Sequence, residues 1–237
     1  MTTTTENVTP APTRAENLTG APGSRLWSFS GAIAGLAGIV AIQASLQIDA
    51  VYDAKSAGNA ERIADRLGDF VPQLLVLHTS LMIATVLMLV FAAGLRRRLH
   101  AQAPVGSLLP DVAAFGLALV SVAGLMGAGF STEIVFGVTA DDDTLDPEFA
   151  AVVGHWIGTI PWLWVGAGVT GVAVAVAALR HAAAPRWIGW VAAVLGGLTL
   201  LFGMSPLEYM AGFTGPVLIL VLGLGFAFGD RSSRGTA

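Results

Sequence analysis

Six apolar runs, each long enough to cross a bilayer as a helix, are separated by polar segments too short to fold on their own. The runs are read at about Leu26–Ile48, Phe70–Leu95, Val112–Val138, Ala150–Leu179, Trp187–Met204 and Met210–Phe228. A membrane-crossing helix needs roughly 20 mostly apolar residues. Within lipid its backbone polar groups have to be satisfied inside the segment, which leaves the helix as the solution for a single run. Charged residues make up 12% of the chain, against about 25% in soluble domains. Mean hydropathy is +0.72. The expected fold is an all-α, polytopic integral membrane bundle of six transmembrane helices over residues 25–229. Residues 1–24 are rich in Thr, Ala and Pro and lack an apolar core, so a disordered cytoplasmic leader is expected there. Residues 230–237 read as a short cytoplasmic tail.

The polar segments alternate in charge. Arg14, Arg25, Arg96, Arg97, Arg98, Arg180, Arg186, Arg231 and Arg234 all fall on one side of a six-span chain, and only Lys55, Arg62 and Arg66 fall on the other. Short loops enriched in Lys and Arg stay cytoplasmic. Both termini are therefore predicted inside, and the alanine–glycine–arginine bias of a GC-rich bacterium points to the inner (plasma) membrane. The acids run the other way. Twelve of the 16 lie on or near the opposite face, among them Asp49, Asp53, Asp141–Asp143, Asp146 and Glu208. Such a face is either plainly soluble or a mouth that attracts cations.

Several function classes drop out. With no cysteine, thiolate ligands, disulfides and cysteine nucleophiles are absent. The basic residues form short juxtamembrane clusters without a stripe or reading module, so no nucleic-acid partner is expected. No phosphate-cradling loop, dinucleotide fingerprint, HExxH site or serine nucleophile elbow is present.

The polar residues inside the apolar runs carry what functional signal there is, because ionisable groups in lipid are costly. His78 and His155 lie on the order of 8–12 Å below the outer helix ends, and antiparallel spans place them at comparable depth. They are the candidate ligands for a metal or a b-type haem iron, or a proton relay. Glu133 follows the glycine-rich stretch GLMGAGFST near the same level. With the histidines it is a candidate acid–base group. The alternatives are hydrogen bonding between helices for the histidines and interfacial snorkelling for Glu133. Trp162 and Trp164 closely follow Pro161 near the middle of span 4, and Glu208 lies in the connection before span 6. These three are candidate pocket residues, although core filling is an equally physical role for the indoles.

Small residues four apart occur as Gly31/Gly35, Ala34/Gly38, Ala167/Gly171 and Gly225/Gly229. This spacing lets helix backbones approach closely, either within the bundle or at a homodimer or membrane-complex face. The sequence names no cofactor. It leaves four readings open: an outward-facing pocket for a small lipophilic ligand, bound or acted upon; a proton-coupled transporter or accessory subunit; a haem protein using His78 and His155; and a structural membrane protein without catalysis.

Overall fold

A computed structural model describes residues 25–140 and 145–229. The expected leader and tail lie outside the described residues. All regular elements of the described residues are helices, and six helical segments are long and apolar enough to span a membrane. They are α1 (Leu26–Ser45), α3 (Val71–His100), α4 (Leu109–Thr139), the composite span Pro147–His181, α7 (Arg186–Gly203) and the segment Glu208–Gly229 that contains α8 (Ala211–Leu224). The protein is a multi-pass membrane helical bundle, as the apolar runs required.

The spans close into a ring in chain order. α1 packs on α3, α3 on α4, α4 on α6 (Val165–His181), α6 on α7, α7 on α8, and α8 returns to α1. Chain order becomes neighbour order because short connections leave each span little choice but to lie beside the one before it. Glycine sets the closest approaches. A Cβ on Gly171 would lie 2.6 Å from Gly196 Cα, and one on Gly168 would lie 2.6 Å from the Leu200 nitrogen, so α6 and α7 meet backbone to backbone. Gly35 and Gly223 do the same for α1 and α8. Hydroxyls add bonds between spans: Thr170 Oγ1 donates to the Ala113 carbonyl at 2.8 Å, and Ser121 Oγ donates to the Thr85 carbonyl at 3.1 Å. All four small-residue pairs are engaged within the chain. Gly31 faces Phe91, Gly38 faces Trp164, Gly171 faces Gly196, and Gly225 and Gly229 face Trp187.

The fourth span is broken at Pro161. α5 (Pro147–Thr159) gives way to a 3-10 turn over Ile160–Trp164 before α6 resumes. Proline has no N–H to donate and crowds the preceding turn; here its ring packs against Gly212 at the start of α8. The turn delivers Trp164 into the middle of the ring. Its indole is 1% exposed and lies against Gly38 of α1 and Gly215 of α8. Trp164 therefore lies in the core of the bundle. A straight helix of 35 residues would reach about 50 Å against a hydrocarbon core of about 30 Å. The span is thus longer than the hydrocarbon requires, and the first turns of α5 stand at its acid-bearing end.

An unexpected element covers them. The connection between spans 1 and 2 is not a plain loop but contains the amphipathic helix α2 (Ala60–Gly68). Asn59 Oδ1 caps it by accepting from the Arg62 backbone N–H at 2.9 Å. Its buried residues, Ile63 and Leu67, turn toward α5. Residues 46–69 form a folded cap on the acid-bearing face.

Candidate functional site at the acid-bearing face

One cation organises the cap. Arg66 on α2 pairs with Asp49 at 3.2 Å, Asp53 at 3.1 Å and Asp69 at 3.7 Å, and its guanidinium lies 5.5 Å from the centre of the Phe70 ring. Asp49 and Asp53, four apart in sequence, thus tie the end of the first span to the cap helix. The Asp53 carboxylate also accepts from the Lys55 backbone N–H at 2.8 Å, and Ser56 Oγ donates to the Ala50 carbonyl at 2.6 Å.

The sequence-predicted polar residues fall into two groups on this half of the molecule. The first is built on α3 and α4. His78 is partly buried, and its Nδ1 lies 3.1 Å from the Ala128 carbonyl, 3.1 Å from Ser131 Oγ and 3.4 Å from Thr132 Oγ1. These contacts occupy Nδ1 and leave Nε2 as the nitrogen that any ligand would meet. Thr132 also lines a cleft of about 670 Å³ between the end of α4 and the start of α5. Glu133 stands in that cleft with Phe136, Leu145, Asp146 and Phe149. Gly129 and Gly137 keep the α4 wall low, and a Cβ on Gly129 would meet nothing. His78 and Glu133 are thus joined through one turn of α4. Glu133 makes no ion pair among the described residues. Asp146 is committed in part, because its Oδ1 caps α5 by accepting from the Phe149 N–H at 2.8 Å.

The second group is built on the cap, α5 and the turn before α8. His155 is exposed on α5 and stands edge-on to the Tyr52 ring, with centroids 6.1 Å apart. The Tyr52 hydroxyl occupies the space left by the missing side chain of Gly158 and hydrogen-bonds to Tyr209, with Glu208 beside it. Tyr52 and Tyr209 are the two tyrosines of the chain, and the sequence reading missed both. Burial, the hydrogen bond with Tyr209 and the Glu208 carboxylate push the Tyr52 phenol up to about 12. The signal available in sequence was weak: two tyrosines, both in connections at the same face.

An aromatic chain lies beside the Glu133 cleft. Phe149 packs edge-on to Phe130 at 6.3 Å, Phe130 to Trp156 at 5.5 Å, and Trp156 to Trp162 at 5.9 Å. The half-buried Trp162 ends this chain, away from the sealed position of Trp164. Trp156 Nε1 is buried without a hydrogen-bond partner, as are Arg66 Nε and Gln73 Oε1. These are the buried unpartnered side-chain polar atoms among the described residues, and all three belong to the acid-bearing half. Such atoms need water or a ligand to avoid an unpaid desolvation cost.

The opposite face is closed differently. Arg25 Nη1 donates to the Ala227 carbonyl at 3.0 Å, Arg98 Nη1 donates to the Ala183 carbonyl at 3.1 Å, and Arg96 pairs with Asp111 at 2.6 Å. Here the arginines staple loops and helix ends. His100 also approaches Asp111, at 3.5 Å.

Among the described residues, no cluster of three His, Asp or Glu side chains is arranged to hold a metal ion. His78 and His155 have separate neighbours, α4 for one and Tyr52 for the other. No protein-family model, no curated protein and no solved structure matches this chain.

Proposed function

We propose that this protein binds a small lipophilic cation or cationic amphiphile in the Glu133 cleft, at the outer face of a bacterial inner membrane. The observation that carries the reading is the cleft's lining: the carboxylate of Glu133 beside the rings of Phe136 and Phe149. Its size suits a small molecule, since ligand pockets commonly hold about 300–1,000 Å³. A carboxylate without a basic partner favours a cation, and aromatic faces add to that preference. The sealed middle of the ring, with Trp164 between α1 and α8, favours binding from one side over passage through the bundle. His78 supports the α4 turn that carries Thr132 and Glu133, and His155 and Glu208 belong to the neighbouring cap contact.

The test uses two probes of equal shape and opposite charge. Tetraphenylphosphonium should bind the purified protein in mild detergent, and tetraphenylborate should bind more weakly. Glu133→Gln should weaken the cation by about tenfold, equivalent to roughly 1.4 kcal/mol. Equal binding of the two probes, or an unaltered cation affinity in the variant, would sink the proposal. The orientation has its own test. The chain has no cysteine, so single cysteines at Ala57 and Ala182 report cleanly. In intact cells a membrane-impermeant maleimide should label the first and spare the second.

A further inference from the structure

A second surface feature lies on the other half of the bundle, away from the acidic clefts. Between α6 and α7 an apolar groove of about 270 Å³ is lined by Val172, Ala175, Val176 and Leu179 of α6 and by Ala193 of α7, with Arg180 at its mouth. The α6 residues follow an i, i+3, i+4, i+7 pattern, which places them on one stripe of the helix. The groove exists because its floor is small: Ala175 and Ala193 face a seam that Gly171 and Gly196 draw tight. One turn beyond Ala193, a Cβ on Gly197 would meet nothing, so α7 stays low there as well. From Val172 to Arg180 the stripe rises about 12 Å, close to the roughly 15 Å depth of one leaflet's hydrocarbon.

The charge at the mouth is available. Arg180 is exposed and makes no hydrogen bond or ion pair among the described residues. Asp111 is the one acid of the described residues at this end, and Arg96 already holds it at 2.6 Å. Two indoles mark the level of the interface: Trp187 and Trp190, at the start of α7, are 46% and 63% exposed. Exposed tryptophans collect where hydrocarbon meets headgroups.

We infer that this groove holds one anionic phospholipid, with an acyl chain along the Val172–Leu179 stripe and the phosphate paired with Arg180. An acyl chain alone would satisfy the apolar walls, so Arg180 is what selects the lipid by charge. A second copy of the chain would also cover the groove, but the free guanidinium at its mouth matches a phosphate.

The experiment is native mass spectrometry of the full chain in mild detergent, titrated with phosphatidylglycerol and with phosphatidylcholine of identical chains. Wild type should retain one phosphatidylglycerol in preference to phosphatidylcholine. Arg180→Gln should reduce that preference about fivefold, the size expected for one basic residue near a charged lipid surface. Arg97→Gln, which removes another exposed arginine of the same face, should leave it unchanged. Ala193→Leu fills the groove and should reduce retention of both lipids. If that variant does not fold, Val176→Phe provides the filled groove, and the comparison of the two arginine variants stands without either. An unchanged preference in Arg180→Gln overturns the proposal. So does an equal loss in both arginine variants, which would mean diffuse attraction only. Self-association abolished by Ala193→Leu without any lipid preference overturns it in favour of a second copy.

Discussion

The two halves of the fourth span, on either side of the Ile160–Trp164 turn, are built on different terms. α6 reads VGAGVTGVAVAVAALRH and α5 reads PEFAAVVGHWIGT. The glycines of α6 meet backbone: Gly168 faces the Leu200 nitrogen and Gly171 faces Gly196 Cα. The glycines of α5 meet the far ends of cap side chains, Val51 at Gly154 and Tyr52 at Gly158. Backbone cannot step aside, whereas a side-chain tip can. The comparison teaches where this molecule is rigid and where it has freedom. Below the Ile160–Trp164 turn the span is locked into the ring. Above it the span carries aromatic rings, open clefts and a cap held by polar contacts. A site that admits a ligand belongs on the second kind of ground.

The largest expected effect comes from the junction itself. Trp164→Ala removes the side chain that closes the ring between Gly38 and Gly215 and should cost about 3–5 kcal/mol, the range for emptying a large buried aromatic position. Thermal unfolding in detergent would show it as a large loss of midpoint. A midpoint shift of only a degree or two would mean that the ring is not sealed by this residue. Next in size is Gly171→Leu in α6. Its Cβ would lie 2.6 Å from Gly196 Cα and 2.8 Å from Leu218 Cδ2, so the seam has to part, at a cost of about 1–3 kcal/mol. The smaller change above the turn, Gly154→Ala in α5, meets side chains of the cap and no backbone: Val51 Cγ1 at 2.6 Å, Ile63 Cγ2 at 3.7 Å and Leu67 Cδ1 at 3.9 Å. The cap can shift to admit it, so it should lower the midpoint less than Gly171→Leu. Equal destabilisation by the two variants would erase the distinction between the halves.

Arg66→Ala should act locally. The pairs it breaks are partly exposed, with the arginine side chain at 34% exposure. Such pairs contribute about 0.2–1 kcal/mol each, so the global midpoint should barely move. Limited proteolysis should nonetheless cut faster within residues 46–69, because three carboxylates lose their common cation. A cap as resistant as wild type would mean that the apolar contacts of Ile63 and Leu67 hold it unaided.

Legibility in the sequence followed the same division. The spans were readable because lipid imposes a length and a composition, and the structure keeps each of them to within a few residues. The break at Pro161 was readable because proline's missing donor is a local property. The destination of Trp164 was not, since only Gly38 and Gly215 on two other spans decide that its indole is sealed. The pairing of His78 with Thr132 and Ser131 needed the rotation of α3 against α4, which periodicity in an all-apolar helix does not reveal. α2 was missed for a different reason. It is too short and too polar to register beside runs of 20 apolar residues, although Asn59 and the spacing of Ile63 and Leu67 carry its signature. Tyr52 and Tyr209 are 157 positions apart, and nothing local joins them.

That tyrosine contact supplies the smallest and sharpest test of the cap. The chain has two tyrosines, so absorbance near 295 nm follows Tyr52 alone once Tyr209→Phe is made. Burial, the bond to Tyr209 and the Glu208 carboxylate push the Tyr52 phenol from 10.0 up to about 12. The raised value means that the folded state holds the phenolic proton more tightly than the unfolded chain does. Below pH 10 both states keep it, and the contribution to stability is whole. Between about pH 10 and 12 the unfolded chain releases it first, so stability falls through that window and levels off above it. Tyr209→Phe removes one cause of the shift and should bring the midpoint down toward 10 without changing the bundle. Gly158→Ala should do the same by another route, since the new methyl takes the space of the Tyr52 hydroxyl. Both variants should leave thermal unfolding at neutral pH close to wild type. If Gly158→Ala instead unfolds the protein as Gly171→Leu is expected to, then α5 is as tightly locked as α6, and the freedom assigned to the acid-bearing half is lost.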